Sequence, residues 1–585
     1  LSYGNLKGFI PSSIGQLTEL QVLLLGNNRL SSTIPKELGI ISKLRSLILN
    51  TNQLEGTLPY ELGLLTRLLE LDVSANIITG SIPMEFGQLT NLNEINLFDN
   101  KLTSSIPKEL GNLKNITYFD LDTNYLTGTI PSSIGNFILV QFLYFNDNLL
   151  TGTLPSSIGQ LENLQILWLY NNKLSGILPS GFKNLNQIFV GNNRFSGQLP
   201  NIQSNRLHVL SVPNNRLSGN LIINTNVAKT LNVLQVHNNH FSGNPFDSIM
   251  NAESLQVLDL SLNDFTGVIP DSIYSGMSSL NAFAIGSNCF TGTISEKLCD
   301  LLSLKTLVLT AMGSAPNCTD SIWKNTAFQN VFNGRIFSKN HIQGTLPKCL
   351  FDMPQLKNLY ADGNNVLGEL PSSGVSGNLN KISLSFNSMY GKIPSSFGEN
   401  SNITLFDLSN NRVSGDISMF KNSKNLDLSL RVNNLSGDIP IALHSLKNID
   451  ILSGNVFGCS RDRNEIPIND PISSSYECGS NQLNQYLYFF VVVFVFILMI
   501  IFYIFHKHNS IINEFKLWME VAVEERHICG DDTVQIKSIN KYNYQLFNIM
   551  WLVMKISFYL IVFFILYLCL GGSTTRLLEH NYVWI

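Results

Sequence analysis

The sequence is poor in charged side chains. Only 14% of its 585 residues are Asp, Glu, Lys or Arg, whereas soluble domains typically contain about 25%. The formal net charge is −4, so we predict no nucleic-acid partner and no general attraction to anionic lipid. Leucine, asparagine, glycine and serine are abundant instead, which is typical of a repetitive scaffold.

Signatures of catalysis are also missing. The sequence has no GxSxG, HExxH or P-loop motif. The segment 506–550, between two apolar stretches near the carboxyl end, is too short for a kinase domain, which needs several separated motifs. Carboxylates on a solvated repeat surface have no burial to shift their pKa values. We therefore predict a protein that is not an enzyme and uses no cofactor.

The eight cysteines include no CxxC pair, so we predict no metal site. If the chain is extracellular, disulfides are the natural interpretation. We expect Cys459 to pair with Cys478 and to hold a cap over the last part of the repeats. Four more cysteines surround an irregular zone, and the sequence leaves their pairing open: Cys289, Cys299, Cys318 and Cys349.

A regularly spaced asparagine dominates the chain. It recurs at a constant interval at Asn28, Asn52, Asn76, Asn100, Asn124, Asn148 and Asn172. It continues at Asn193, Asn215, Asn239, Asn263 and Asn288, and after an irregular zone at Asn340, Asn364, Asn387, Asn411, Asn433 and Asn455. A fixed period of this kind predicts a stacked-repeat solenoid, in which each coil shares its core with its neighbours.

The repeating unit is clearest in the segment 114–131, KNITYFDLDTNYLTGTIP. Phe119 and Leu121 are separated by one residue and are expected to share the inner face of a strand. Asn124 follows at the turn, where a buried amide side chain needs backbone partners in adjacent coils. Gly128 permits a positive φ on the return path.

The unit LxxLxLxxNxLxGxIPxxLGxL resembles the leucine-rich repeat in its plant-type form, and the resemblance covers residues 1–458. It implies an α/β-type solenoid, a horseshoe or superhelix with a concave parallel β-sheet and irregular or 3₁₀ structure behind. About 20 repeats are expected, the first of them truncated. Because Leu1 lies inside a repeat without a signal peptide, we expect this chain to lack its amino-terminal cap.

Outward positions on the regular strands change from acidic to aromatic along the chain. Exposed aromatic side chains with polar groups are typical of interfaces, although such a cluster can also arise by chance on a variable surface. The candidate ligand-binding residues on the concave face are Asp72, Phe98, Tyr118, Asp120, Asp122, Phe142, Tyr144, Trp168, Tyr170 and Phe189.

The irregular zone covers residues 301–345. Met312 takes the asparagine position there, and the next such position, Asn340, comes later than the regular interval requires. We interpret the zone as a degenerate repeat with a surface bulge. The alternative is a ligand-contacting insertion.

Asn-x-Ser/Thr motifs mark four candidate glycosylation sites, which agree with a secreted setting: Asn115, Asn317, Asn402 and Asn434. Asn434 follows a repeat asparagine, and we expect it to be too crowded for modification.

Residues after the repeats indicate a membrane protein. The stretch 487–505 is apolar and uncharged, and as a helix it would span about 28 Å, close to the ~30 Å hydrocarbon core. A second apolar stretch is interrupted by Lys555, so the alternatives to a second span are an interfacial segment or a misread frame. We predict a cap and linker at 459–486, transmembrane helix 487–505, cytosolic loop 506–550, second helix 551–570 and tail 571–585.

The resemblance implies a receptor-like protein without a kinase domain. Such a protein binds an extracellular peptide, protein or glycan ligand on its repeats and signals through a co-receptor kinase. We therefore predict a single- or double-pass plasma-membrane protein in contact with lipid, with extracellular repeats. The alternatives are an adhesion or structural protein of the cell surface, and a tethered inhibitor of an extracellular enzyme.

Overall fold

The computed structural model describes residues 1–311, 344–364, 366–422, 425–459 and 463–478, together with the isolated positions Val493 and Ile497. Leu1–Asn481 form one compact unit that holds the repeats. Apart from Val493 and Ile497, the predicted membrane segments, loop and tail lie outside the described residues, as do Asn317 and Cys318. Within the described ranges, no helix has both the length and the apolar character needed to cross a membrane.

One long parallel sheet runs through the repeats, with one short strand from each coil. In the described residues it has 18 strands, each paired in register with the strand of the next coil. They are Val22–Leu24, Ser46–Ile48, Glu70–Asp72, Glu94–Asn96, Tyr118–Asp120, Phe142–Tyr144, Ile166–Trp168, Gln187–Phe189, Val209–Ser211, Val233–Gln235, Val257–Asp259, Ala282–Ala284, Thr306–Val308, Asn358–Tyr360, Lys381–Ser383, Leu405–Asp407, Asp427–Ser429 and Ile449–Asp450.

The alternation of side chains in these strands confirms the predicted solenoid. Phe119 and Leu121 are fully buried, while Tyr118 on the outward face is half-buried. Tyr118 and Phe119 pair with Phe142 and Leu143 of the next coil. Each coil therefore contributes an apolar layer that only its neighbours cover.

Shorter parallel sheets lie further along each coil, after the asparagine turn. The first two comprise Lys7–Gly8, Arg29–Thr33 and Gln53–Glu55, and Thr79–Gly80 with Lys101–Leu102. The third comprises Thr151–Thr153, Lys173–Gly176, Arg194–Gly197, Arg216–Asn220, His240–Gly243, Asp264–Val268 and Cys289–Thr291. The fourth comprises Leu367–Gly368, Ser388–Lys392, Arg412–Gly415, Asn434–Asp438 and Val456–Gly458.

Short helical turns complete the coils. The 3₁₀ turns are Ser12–Gln16, Lys36–Ile40, Tyr60–Leu64, Met84–Gln88, Lys108–Asn112, Ser132–Asn136, Ser156–Gln160, Glu296–Asp300, Lys348–Asp352, Ser418–Asn422 and Ile441–Leu443. The α-helical turns are Thr225–Thr230, Phe246–Ile249, Ser272–Gly276 and Ser395–Glu399.

Two glycines of the repeat have separate roles. Gly128 has φ 74°, a conformation that other residues rarely adopt, as the sequence predicts. Gly63 lies in a 3₁₀ turn, where an added Cβ would stand 2.6 Å from the carbonyl oxygen of Glu85 in the next coil. This second glycine therefore allows adjacent turns to stack closely.

The repeated asparagines form a buried ladder, as the sequence predicts. The Oδ1 of Asn124 accepts from the N–H of Leu102 at 3.0 Å. Its Nδ2 donates to the carbonyls of Leu97, Leu121 and Asp122 at 3.0–3.2 Å. One side chain thus satisfies backbone groups in its own coil and in the preceding one, where water is excluded.

The strands on either side of the irregular zone belong to adjacent coils. Thr306–Val308 pair directly with Asn358–Tyr360, just as Tyr118–Asp120 pair with Phe142–Tyr144. The coil that begins at Thr306 is therefore more than twice as long in sequence as its regular counterparts. The Nδ2 of Asn364 reaches the carbonyl of Leu309 at 2.7 Å. The predicted ladder position Asn340 lies outside the described residues and stays a prediction.

Two disulfides join cysteines that both lie in the described residues. Cys299 pairs with Cys349, which links the coil before the insertion to the coil that contains it. Cys459 pairs with Cys478 as predicted. Cys289 is disulfide-bonded as well.

The cap after the last coil satisfies the open backbone of that coil. The hydroxyl of Tyr476 accepts from the N–H of Phe457 at 2.7 Å. The buried carboxylate of Asp470 accepts from the N–H groups of Ile451 and Leu452 at 2.7 and 3.1 Å.

Candidate ligand-binding face of the long sheet

Six aromatic side chains lie side by side on the outward face of four consecutive strands. We call this group the aromatic plate: Tyr118, Phe142, Tyr144, Trp168, Tyr170 and Phe189. Tyr118 and Tyr144 have ring centroids 5.5 Å apart. The ring of Trp168 meets Tyr144 edge-on at 4.9 Å and Phe189 at 5.6 Å. These separations are those of attractive ring pairs, so register alone assembles a continuous aromatic surface.

Every ring of the plate is half-buried, and none is fully exposed. The sequence predicted aromatic groups projecting into solvent. In the structure each ring shields its neighbours, which lowers the cost of leaving the plate uncovered in the absence of a partner. The plate still presents the aromatic faces and polar groups that protein interfaces use.

An acidic strip precedes the plate on the same face. It consists of Glu70, Asp72, Glu94, Asp120 and Asp122. Asp120 connects the two groups, because its Oδ2 accepts from the Tyr118 hydroxyl at 2.9 Å. Its Oδ1 accepts from the N–H of Asp122 at 2.9 Å. Of the predicted binding residues, Asp120 and Asp122 directly adjoin the plate, whereas Asp72 lies two strands away.

Burial perturbs these carboxyl groups. Burial raises the pKa of Asp120 to about 6, and the side chain is only 7% exposed. Burial also raises the pKa of Glu94, and the charges of Glu70 and Asp72 raise it further. Burial likewise raises the pKa of Asp122. The prediction of solvated carboxylates with ordinary pKa values is therefore wrong for Glu94, Asp120 and Asp122.

Burial and the nearby carboxylates also raise the pKa values of the tyrosines. Burial, followed by the charge of Asp120, raises the pKa of Tyr118. Burial and the charges of Asp122 and Asp147 raise the pKa of Tyr170 to about 12. Both hydroxyls therefore stay protonated near neutral pH, and that of Tyr118 donates to Asp120.

The strands of this face carry no positive charge. The seven strands from Ser46–Ile48 to Gln187–Phe189 contain no lysine or arginine. Among the described residues, no ion pair involves a carboxylate of the acidic strip. The strip is therefore a concentration of uncompensated negative charge.

Phe98 does not join the plate. It is half-buried, and among the described residues no other ring packs against it. Its N–H donates to Oδ1 of Asn96 at 3.1 Å, as the N–H of Asp122 does to Asp120.

Sequence reasoning missed two polar atoms at the plate. Asn146 is fully buried on the outward side of its strand, and its Nδ2 donates to Asp147 at 2.9 Å. Within the described part of the chain, Oδ1 of Asn146 and Nε1 of Trp168 are buried without a hydrogen-bond partner. Neither feature can be read from the repeat pattern, because each depends on the neighbouring coil.

A second row of side chains follows the edge of the sheet, at the position before each ladder asparagine. We call it the rim row: Asp147, Asn171, Asn192, Asn214 and Asn238. Each amide donates to the oxygen of the preceding member at 2.5–2.8 Å. All five have φ between 50° and 55°, where asparagine and aspartate are favoured over other non-glycine residues.

Three predicted glycosylation sites are exposed in the structure, namely Asn115, Asn402 and Asn434. The expectation that Asn434 is crowded is therefore wrong. Its modification, like that of the other two, stays a prediction.

The ladder, the in-register sheet and the stacked turns define a leucine-rich repeat solenoid. A family model described as Leucine Rich Repeat matches residues 19–40, 91–113, 115–137, 139–161, 163–185 and 254–275. The plant peptide hormone receptor RGFR1, solved with RGF2, is 31% identical; the alignment covers 78% of this chain and 70% of that one, with a TM-score of 0.67. The Arabidopsis receptor kinase HAESA, solved with the peptide hormone IDA and the co-receptor SERK1, is 31% identical over 78% of this chain and 77% of that one, with a TM-score of 0.63.

A curated relative agrees with these structures. Receptor-like protein 35 of Arabidopsis thaliana is 32% identical over 169 residues, which are 28% of this chain and 17% of that protein. The chain belongs to the plant leucine-rich repeat receptor-like proteins.

Proposed function

We propose that this protein is a membrane-anchored receptor-like protein that recognises an extracellular peptide on the exposed face of its long sheet. The aromatic plate is the observation that carries the proposal. It offers large aromatic surfaces, three tyrosine hydroxyls and, among the described residues, an unpartnered indole N–H on a rigid support. Rigid aromatic side chains lose little conformational entropy on binding and dominate many recognition surfaces.

Related solved structures support this assignment. RGFR1 and HAESA are receptors solved with peptide ligands, and the present repeats align with most of each of those chains. We propose that the apolar stretch 487–505 anchors the chain, and that signalling passes through a partner kinase. The HAESA complex with SERK1 is the precedent for such a partner.

The test replaces Tyr144 and Trp168 together by alanine in the full-length protein, displayed on plant cells. A synthetic pool of secreted plant peptides is screened against the unaltered protein, and binding of each retained peptide is then measured on the variant. We expect affinity to fall at least about tenfold, because two rings at the centre of the plate are lost.

A matched control replaces Tyr360 and Ser429 by alanine. These residues end their strands as Tyr144 and Trp168 do, but they lie far along the sheet from the plate. This control should bind as the unaltered protein does. Equal binding by the unaltered protein and the Tyr144/Trp168 variant would remove the plate from recognition. Thermal unfolding of each variant separates lost contacts from lost folding.

Signalling is tested separately from binding. A receptor should associate with a kinase only when the peptide is present, whereas an adhesion protein should bind without recruiting one. Ligand-dependent co-precipitation of a kinase from the same cells distinguishes these two functions.

A further inference from the structure

The plate and its surroundings contain two buried polar atoms, one hydrogen-bond donor and one acceptor, that are both unsatisfied. Nε1 of Trp168 is a donor without an acceptor, and Oδ1 of Asn146 is an acceptor without a donor, among the described residues. The two residues lie in adjacent coils on the outward face. Unpaired buried polar groups are uncommon and costly, and two of them together indicate a place that a ligand completes.

Asn146 also lies next to the negative charge. Its Nδ2 donates to Asp147, and hydrogen bonding by its side chain opposes the rise in the pKa values of Asp122 and Tyr170. Asp122, Asn146 and Tyr170 occupy equivalent outward positions in three successive coils. A ligand group at this point meets a carboxylate and an aromatic ring, with the buried amide of Asn146 beside them.

Charge complementarity identifies the group. The strip has five carboxylates without an ion-pair partner in the described residues, and no basic side chain lies on the surrounding strands. A cation would relieve their mutual repulsion. Arginine fits better than lysine, because its planar guanidinium offers several donors and stacks on aromatic rings.

We propose that the junction of the aromatic plate and the acidic strip binds an arginine side chain of a peptide ligand. The guanidinium lies against the rings of the plate and donates to Asp120, Asp122 and Oδ1 of Asn146. A backbone carbonyl of the peptide accepts from Nε1 of Trp168. This inference rests on the proposed function, since it names the chemical class of the recognised peptide.

The experiment uses full-length protein in lipid nanodiscs and two small probes, N-acetyl-arginine methylamide and N-acetyl-citrulline methylamide. Citrulline has nearly the shape of arginine without its charge. Saturation-transfer NMR measures the signal passed from protein to probe. We expect a signal at the arginine side chain at least about tenfold stronger than that of citrulline.

Variants locate the interaction. The double change Asp120→Asn and Asp122→Asn should abolish the preference for arginine. The fold tolerates asparagine at both positions, because Asn96 and Asn146 occupy the equivalent places in neighbouring coils. The control Asp407→Asn changes a carboxylate on a distant strand of the same sheet and should retain the preference.

Three results would overturn the inference. They are equal signals from the two probes, no signal from either probe, and a preference that survives the double change. A separate result distinguishes this inference from the proposed function. If a peptide without arginine binds the unaltered protein but not the Tyr144/Trp168 variant, the plate recognises peptides and the arginine inference alone is excluded.

Discussion

Two carboxylates on the same sheet, Asp120 and Asp362, have different surroundings. Around the plate, Asp120 is buried beside other acids and receives a tyrosine hydroxyl and one backbone N–H. Further along, Asp362 accepts from the hydroxyls of Ser383 and Ser385 and from the N–H of Ser385. The Thr310 hydroxyl donates to its second oxygen at 3.4 Å.

The coils themselves are nearly identical in these two regions. Asn411 accepts from the N–H of Met389 at 3.0 Å and donates to the carbonyl of Leu384 at 2.9 Å. Asn124 makes the equivalent contacts with Leu102 and Leu97 of its preceding coil. The two regions therefore share the same scaffold and differ in the side chains on their outward face. Small hydroxyl residues surround one carboxylate with internal donors, whereas aromatic neighbours leave the other desolvated with fewer donors.

The largest expected effect tests the shared scaffold. Asn124→Ala should lower the local free energy of unfolding by roughly 1–3 kcal/mol, because the backbone groups that it satisfies become buried without partners. Asn411→Ala should cost a similar amount, since its contacts are the same. Amide hydrogen exchange of the coils on either side measures both variants.

A clear difference in exchange rates between the Asn124→Ala and Asn411→Ala variants would contradict the comparison. It would mean that the two regions differ in their backbone as well as in their surface. Unaltered exchange in both variants would contradict the buried role of the ladder. Ser132, which is exposed in a 3₁₀ turn of the repeats, offers a silent control as Ser132→Ala.

The sequence predicts the scaffold well because the ladder is locally encoded. The fixed period places Phe119, Leu121 and Asn124 in one coil, and stacking follows. The same reasoning placed the aromatic rings on one face. It misjudged their exposure and the ionisation of Asp120, because both depend on side chains of the neighbouring coils. It could not show that the strands on either side of the irregular zone belong to adjacent coils, because their pairing joins residues about 50 positions apart in sequence.

The intermediate effect concerns pH. The pKa of Asp120 is raised from 3.8 to about 6 in the folded protein. The folded state therefore binds the proton more tightly than the unfolded state, and stability falls as pH rises through this window. Acidification from about pH 7 toward about pH 4.5 should stabilise the plate coils, by on the order of 1–2 kcal/mol for Asp120 after allowance for screening.

The groups facing Asp120 act in the same direction. Burial raises the pKa values of Asp72, Glu94 and Asp122 as well, so each adds stability on acidification. Asp120→Asn should reduce the pH dependence of hydrogen exchange in the plate coils and slow exchange at neutral pH. A pH profile that is identical in the variant and the unaltered protein would show that Asp120 is not the titrating group.

The smallest expected effect concerns the rim position in the second of the two regions, further along the sheet from the plate. Val432 occupies the rim position with φ 55°, and its side chain is 46% exposed. A β-branched residue is strained in this conformation, by roughly 1 kcal/mol, whereas asparagine adopts it readily. In Val432→Asn, the new amide would also donate to Oδ1 of Asn410 in the preceding coil, as Asn192 does to Asn171. We expect a gain of about 0.5–1 kcal/mol in the free energy of unfolding, measured by urea denaturation.

Val456→Asn is the matched control for this variant, because Val456 is similarly exposed but lies in a strand outside the positive-φ positions. A gain in both variants would attribute the effect to a more polar surface rather than to the backbone conformation. No gain in Val432→Asn would show that the rim row adds nothing beyond its backbone, and the two regions would then differ only in the side chains that surround their carboxylates.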